Sequence, residues 1–175
     1  MKVLAFGATS SSQSINKQLA VYAANLIEGS EVETLDLNDF EMPIYSSDRE
    51  AELGQPEQAK AFFAKIGEAD AVIISFAEHN GSYTAAYKNV FDWASRIDMK
   101  VFQGKPVVFL ATSPGPGGAS SVLQGAVGSA PYFAAEVKGS LSVPSFYDNF
   151  DMETQTMRND ALKAQLQDAV NALTK

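Results

Sequence analysis

Five short apolar runs, most of them followed by a stretch with helical periodicity, confine this chain to alternating strands and helices. Residues 2–6, 31–37, 71–76, 107–111 and 137–143 read as strands, the third and fourth as continuous buried runs. Ile15, Leu19, Ala23, Leu26 and Ile27 mark the apolar face of a first helix, and Ala59, Phe62, Phe63 and Ile66 mark another that opens at Pro56. A wide stripe over 85–97, a helix over 119–130 and an amphipathic helix through Leu162, Leu166, Ala169, Val170 and Leu173 complete the set. Residues 43–48, with Asn38 and Asp39, read as a polar connection. This rhythm predicts an α/β fold, a doubly wound five-stranded parallel sheet with helices on both faces and strand order 2-1-3-4-5. Such a sheet binds ligands at the carboxyl ends of its strands, where the direction of winding reverses between strands 1 and 3.

The chain has 175 residues, 46% of them hydrophobic, and no linker-like stretch, so one domain over 1–175 is expected. A net charge of -8 opposes nucleic acid and anionic lipid, which need clustered Lys and Arg, and points to small molecules or basic surfaces as partners. Nothing in the sequence resembles a signal peptide or a bilayer-spanning run, so a cytoplasmic protein with no membrane partner is expected. Without cysteine there is no disulfide, thiolate nucleophile or iron–sulfur ligation, so redox chemistry here requires a bound cofactor. The single histidine, His79, has no second His or Cys to complete a metal site, and the scattered acids give no paired-carboxylate pattern. The breadth of the 85–97 stripe exceeds what one core-facing seam needs and suggests self-association.

Three loops fall at the predicted carboxyl edge. The first carries Thr9, Ser10, Ser11, Ser12 and Ser14 ahead of Ile15 and Asn16, so hydroxyls and free backbone N–H groups at a helix start can face a phosphate. It matches neither GxGxxG nor GxxxxGK[ST], which favours a mononucleotide. A serine-rich turn with a Ser14 helix cap is the plainer alternative. The second loop, Ala77, Glu78, His79, Asn80 and Ser82, offers an amide and a carboxylate beside His79 and Tyr83, which suits the edges of a flavin ring. His79 has two further readings, a packing residue or a general acid. The third loop, Ser113 to Gly118 with Gly115 and Gly117, lets backbone approach a flat ring closely, or is simply a tight turn. Phe146, Tyr147 and Phe150 sit in a late segment that either covers the site or anchors itself.

Ser14-Ile15-Asn16 with Leu19-Ala20, then Glu78-His79-Asn80, Ser82, Lys88-Asn89 and Asp92-Trp93, and finally Lys105-Pro106-Val107 with Gly117-Gly118, together resemble the NADPH-dependent FMN reductase family over nearly the whole chain. The resemblance implies a flavodoxin-like fold, non-covalent FMN, and hydride passed from NAD(P)H through the flavin to a quinone, a flavin or a similar small acceptor, in a homodimer or homotetramer. It places Thr9, Ser14 and Asn16 in the phosphate loop, Glu78, His79 and Asn80 in the flavin loop, and Ser113, Gly117 and Gly118 beside the ring. Three positions depart from the family pattern: Ser11 replaces an arginine, Ala77 a proline and His79 a tyrosine. Loss of a charge-assisted contact at Ser11 costs about 1.5 to 3 kcal/mol and predicts weaker FMN binding. No side chain need act as acid or base for hydride transfer, so no catalytic residue is assigned. The alternative is a flavodoxin-type electron carrier without its own substrate site. A phospho-acceptor receiver would need acids where the chain has Gly7, Ala8 and Ala77.

Overall fold

The computed structural model describes residues 1–175 and contains one five-stranded sheet in the order β2-β1-β3-β4-β5, every neighbouring pair parallel. The strands are β1 (Lys2–Ala8), β2 (Glu31–Thr34), β3 (Ala71–Phe76), β4 (Pro106–Thr112) and β5 (Glu136–Val143). Helices α1 (Ile15–Asn25), α2 (Ser47–Leu53), α3 (Glu57–Glu68), α4 (Ala85–Ala94) and α5 (Ser120–Ser129) lie between them. After β5 come a short α6 (Phe146–Asn149), an antiparallel hairpin of β6 (Phe150–Asp151) and β7 (Thr156–Met157), and α7 (Asp160–Asn171). No helix is long and apolar enough to cross a membrane.

Side chains alternate across the pleat, so each central strand feeds two cores. Leu4, Phe6, Val72, Ile74, Phe76 and Phe109 pack with Phe62 and Ile66 of α3, Trp93 of α4 and Val122 of α5. Val3, Ala5, Ile73, Val108 and Leu110 pack on the opposite face with Leu19 of α1 and Leu166 of α7. The central strands are therefore apolar on both faces, which is why they read as unbroken runs rather than alternating ones.

The strand-and-helix expectation meets three local differences. β2 ends at Thr34, short of Leu37, because the Asp36 carboxylate accepts the Asn38 N–H at 3.0 Å and turns the chain into a 3-10 segment, Leu37–Phe40, that tucks Leu37 and Phe40 into the first core. The polar connection runs only to Ser46, which caps α2. That helix buries none of its residues and so offers no apolar period to read. Gly139 lies within β5 where α7 packs closely, since a Cβ there would come 3.1 Å from the Ala169 Cβ. In the late segment Phe146 and Phe150 stack at 4.7 Å and are buried, anchoring it, whereas Tyr147 is 54% exposed.

Candidate functional site

The C-terminal ends of β1, β3 and β4 deliver three loops to one open cleft of about 260 Å³. Thr9, Ser11, Gln13, Ser14, Ile15 and Asn16 form one wall. Ala77, Glu78 and His79 form the second, and Thr112, Ser113 and Pro114 the third, with Tyr147 closing one side. This is the switch point of a 2-1-3-4-5 sheet.

The first wall depends on glycine at the end of β1. A Cβ on Gly7 would lie 2.6 Å from the backbone nitrogen of Lys17, so glycine alone lets the first turn of α1 press against the strand end. The Thr9 hydroxyl accepts the Ser11 N–H at 3.1 Å, and Ser14 caps α1 by accepting the Lys17 N–H at 3.1 Å. The N–H groups of Ser12, Gln13, Ile15 and Asn16 bond to no protein acceptor, which leaves a patch of donors where the positive end of the α1 dipole emerges. The plainer reading of Ser14 as a cap thus holds alongside its place on the cleft wall.

Asn16 is 3% exposed and ties the start of α1 to the ends of β3 and β4. Its Nδ2 donates to the Thr112 carbonyl at 3.1 Å, while its Oδ1 accepts the Thr112 N–H at 3.0 Å and the Ser75 hydroxyl at 2.7 Å. Its carbonyl oxygen and one amide N–H are thereby engaged within the protein, and Asn16 fixes the cleft's shape. Thr84 does the same from the other side, donating its buried hydroxyl to the Ala8 carbonyl at 2.8 Å while capping α4.

In the second wall a Glu78 carboxylate oxygen accepts the Val122 N–H at 2.7 Å, in the first turn of α5. That helix begins at Ala119 with no side-chain cap of its own, so Glu78 supplies the cap from a distant loop. His79 and Ser82 exchange backbone hydrogen bonds at 3.0 and 3.2 Å around Asn80 and Gly81, whose φ values are 54° and 78°. Positive φ at both central residues makes this a type I′ turn, the geometry that Asn-Gly favours. Asn80 and Ser82 build that turn and lie outside the cleft lining, as does Ser12 at the exposed tip of the first loop.

The third wall is stapled to the segment after β5. The Ser113 carbonyl accepts the Phe146 N–H at 3.0 Å, and the Gly115 carbonyl accepts the Ser145 N–H at 2.9 Å. Gly118 is buried at a φ of 58°, and a Cβ there would strike the Ser142 hydroxyl at 2.3 Å, so its role is to seat the loop on the end of β5. Gly115 and Gly117 face open space, and neither they nor Gly118 line the cleft. Gln13, Thr112, Pro114 and Tyr147 do line it without having been singled out as binding residues. Position beside a predicted strand end was the available signal for Thr112 and Pro114. None marked Tyr147 as a wall rather than an anchor.

The walls carry hydroxyls, free N–H groups, one carboxylate, one imidazole and one phenol, with no Lys or Arg. Hydroxyls and N–H groups at a helix start suit a phosphate, and the loop residues Ala77 to His79, Ser113 and Pro114 on the same cleft suit the edges of an aromatic ring, so the residues fit a flavin mononucleotide.

The known proteins this chain resembles agree with that fit. It is 38% identical over 104 residues to a 2-hydroxy-1,4-benzoquinone reductase of Burkholderia sp, covering 58% of this chain and 55% of that protein. It is 34% identical over 116 residues to an NAD(P)H-dependent FMN reductase of Pseudomonas aeruginosa, covering 66% and 61% respectively. The match thus spans little more than half the length of these curated relatives. Its fold superposes on FerB, a flavoenzyme NAD(P)H:(acceptor) oxidoreductase from Paracoccus denitrificans, with a TM-score of 0.76 at 25% identity over 98% of this chain and 94% of that one. The profile of the NADPH-dependent FMN reductase family matches residues 1–148, and the chain belongs to that family.

Proposed function

We propose that residues 1–175 form one FMN-binding domain that uses NAD(P)H to reduce a small acceptor, a quinone or a flavin. The observation that carries this reading is the convergence of three loops, one of them with unpaired N–H groups at a helix start, on a single cleft at the switch point of a family-matched fold. FMN held there would supply the hydride-transfer chemistry between a nicotinamide and the acceptor. The chain's own residues bind and orient. The N–H groups of Gln13, Ile15 and Asn16, with the Ser11 hydroxyl, would hold the phosphate. Asn16 and Glu78 keep the walls in register through the bonds described above, and Ala77, His79, Ser113 and Tyr147 border the ring.

The same proposal includes self-association and a cytoplasmic location alongside the nicotinamide pool. A groove of about 330 Å³ beside α4, walled by Tyr83, Tyr87, Phe91, Phe102 and Phe133 with Met99 at 56% exposure, supports a homodimer or homotetramer built on this face. The experiment is to mix purified protein with FMN, NADPH and a quinone. FMN-dependent turnover is expected. FMN binding without turnover would instead favour the flavodoxin-type electron carrier.

A further inference from the structure

The groove beside α4 has a floor as well as a mouth. Phe76 of β3, Phe109 of β4 and Tyr87 of α4 form the floor, none of them more than 3% exposed, while Met99 and the Lys88–Asp92 ion pair stand at the mouth. The space exists because α5 and the residue after it present only Ala126, Ser129 and Ala130 to the groove, side chains too small to fill what the rings on the α4 side leave open. Its volume of about 330 Å³ falls within the range of small-molecule sites, about 300 to 1,000 Å³.

One polar group on that floor has nothing to bond. The Tyr87 N–H donates to the Thr84 hydroxyl at 3.2 Å, but the Tyr87 phenol bonds to no protein group and is not sealed in, so it opens onto the groove. Phe76 meets the Tyr87 ring edge-on at 5.3 Å, and Tyr83 and Phe91 lie at 5.2 and 5.7 Å, which holds the ring and keeps its hydroxyl from swinging to another partner. Burial, and after it Tyr83, holds the phenol well above its ordinary pKa, so it stays protonated and offers a donor. The Tyr83 and Ser129 hydroxyls, 3.5 Å apart, add a second polar point in the same groove.

We propose that this groove is a second binding site, one that takes a flat, uncharged aromatic carbonyl compound whose ring lies among the aromatic side chains and whose oxygen accepts the Tyr87 hydroxyl. Edge-to-face and offset contacts suit the ring, and a neutral donor on an apolar floor favours a carbonyl over a carboxylate, which would lose its hydration without gaining a cation. Met99, the exposed apolar side chain that a symmetric partner would insert at the mouth, offers Tyr87 only a weak sulfur acceptor, so a second copy covers the groove without satisfying its floor. The groove shares no lining residue with the FMN cleft, so the inference stands apart from the FMN reading.

The test titrates FMN-saturated protein, without NAD(P)H, with 2-acetylnaphthalene and with 2-ethylnaphthalene, which keeps the shape and lacks the oxygen, and reads both by calorimetry. The same titrations are made on Tyr87→Phe, which deletes only the unpartnered hydroxyl, with matching thermal midpoints to confirm folding, and on Ala126→Leu, which fills the groove from α5. Tyr87→Phe should weaken the ketone by about fivefold to tenfold, the weight of one neutral hydrogen bond, and leave the hydrocarbon unchanged. Ala126→Leu should weaken both. Equal ketone affinity in wild type and Tyr87→Phe would overturn the proposal, as would an equal loss for the hydrocarbon. Absence of ketone binding by a wild type that sediments as a dimer would overturn it too, and leave the groove to the second copy alone. Quenching of flavin fluorescence in the same samples tests the cleft separately: a protein that fails to bind FMN yet shows the Tyr87 dependence keeps this site and loses the other.

Discussion

Asn16 shows how much of this cleft rests on one buried amide. It pairs with the backbone of Thr112 in both directions and takes the Ser75 hydroxyl, so truncation strands a buried N–H, a buried C=O and a buried hydroxyl at once. Asn16→Ala should therefore cost about 2 to 4 kcal/mol, read as a lowered urea midpoint with an unchanged m-value, and should weaken FMN binding as well. Asn16→Asp is an instructive comparison, because a carboxylate keeps the acceptor but cannot donate to the Thr112 carbonyl. At this scale the sequence was only partly legible. The run of hydroxyls marked the loop, but the partners of Asn16 lie 59 and 96 positions away. The need for Gly7 is hidden too, since it arises only where α1 folds back and brings the backbone of Lys17 against the strand end. Asn80-Gly81 was readable in principle as a type I′ turn, since the dipeptide alone favours positive φ twice.

Between elements, the link that matters most joins the loop after β3 to the start of α5. Glu78→Ala should remove the cap that α5 lacks within its own sequence and destabilise the fold by about 1 kcal/mol. It should also loosen the second wall, so amide hydrogen exchange at Val122 is expected to quicken along with that of the loop. Unchanged protection at Val122 would show that the contact contributes nothing to the helix start. Strands buried on both faces were legible because continuous apolar runs have few other meanings, and helices with a strong apolar face were legible from their period. α2 was not, since it buries nothing, and the end of β2 was not, since an Asp36 side-chain bond rather than a change in hydropathy stops that strand.

Across the whole molecule, a cluster at the amino ends of the strands binds the edge of the sheet to its centre and to α3. Glu33 of β2 receives Lys65 at 2.5 Å and Lys2 at 2.9 Å. These two ammonium groups, Lys65 first, hold the Glu33 carboxyl below its ordinary value of 4.5. A depressed carboxylate contributes stability that is complete above that ordinary value and disappears as pH falls through the folded one. Because these side chains are partly exposed, the contribution is about 0.5 to 1 kcal/mol. Glu33→Gln should accordingly lower the urea midpoint slightly near neutral pH and match the wild type once both are in strong acid. A gap that widened in acid would refute the assignment. The sequence by itself determined the class of fold and the five strands of its parallel sheet, because these follow from local hydropathy period and βα alternation, whereas the β6–β7 hairpin carried no such period. Tertiary structure alone decided which of the marked residues share a cleft and which merely shape it. Those properties depend on contacts between positions far apart in the chain, and no local pattern encodes them.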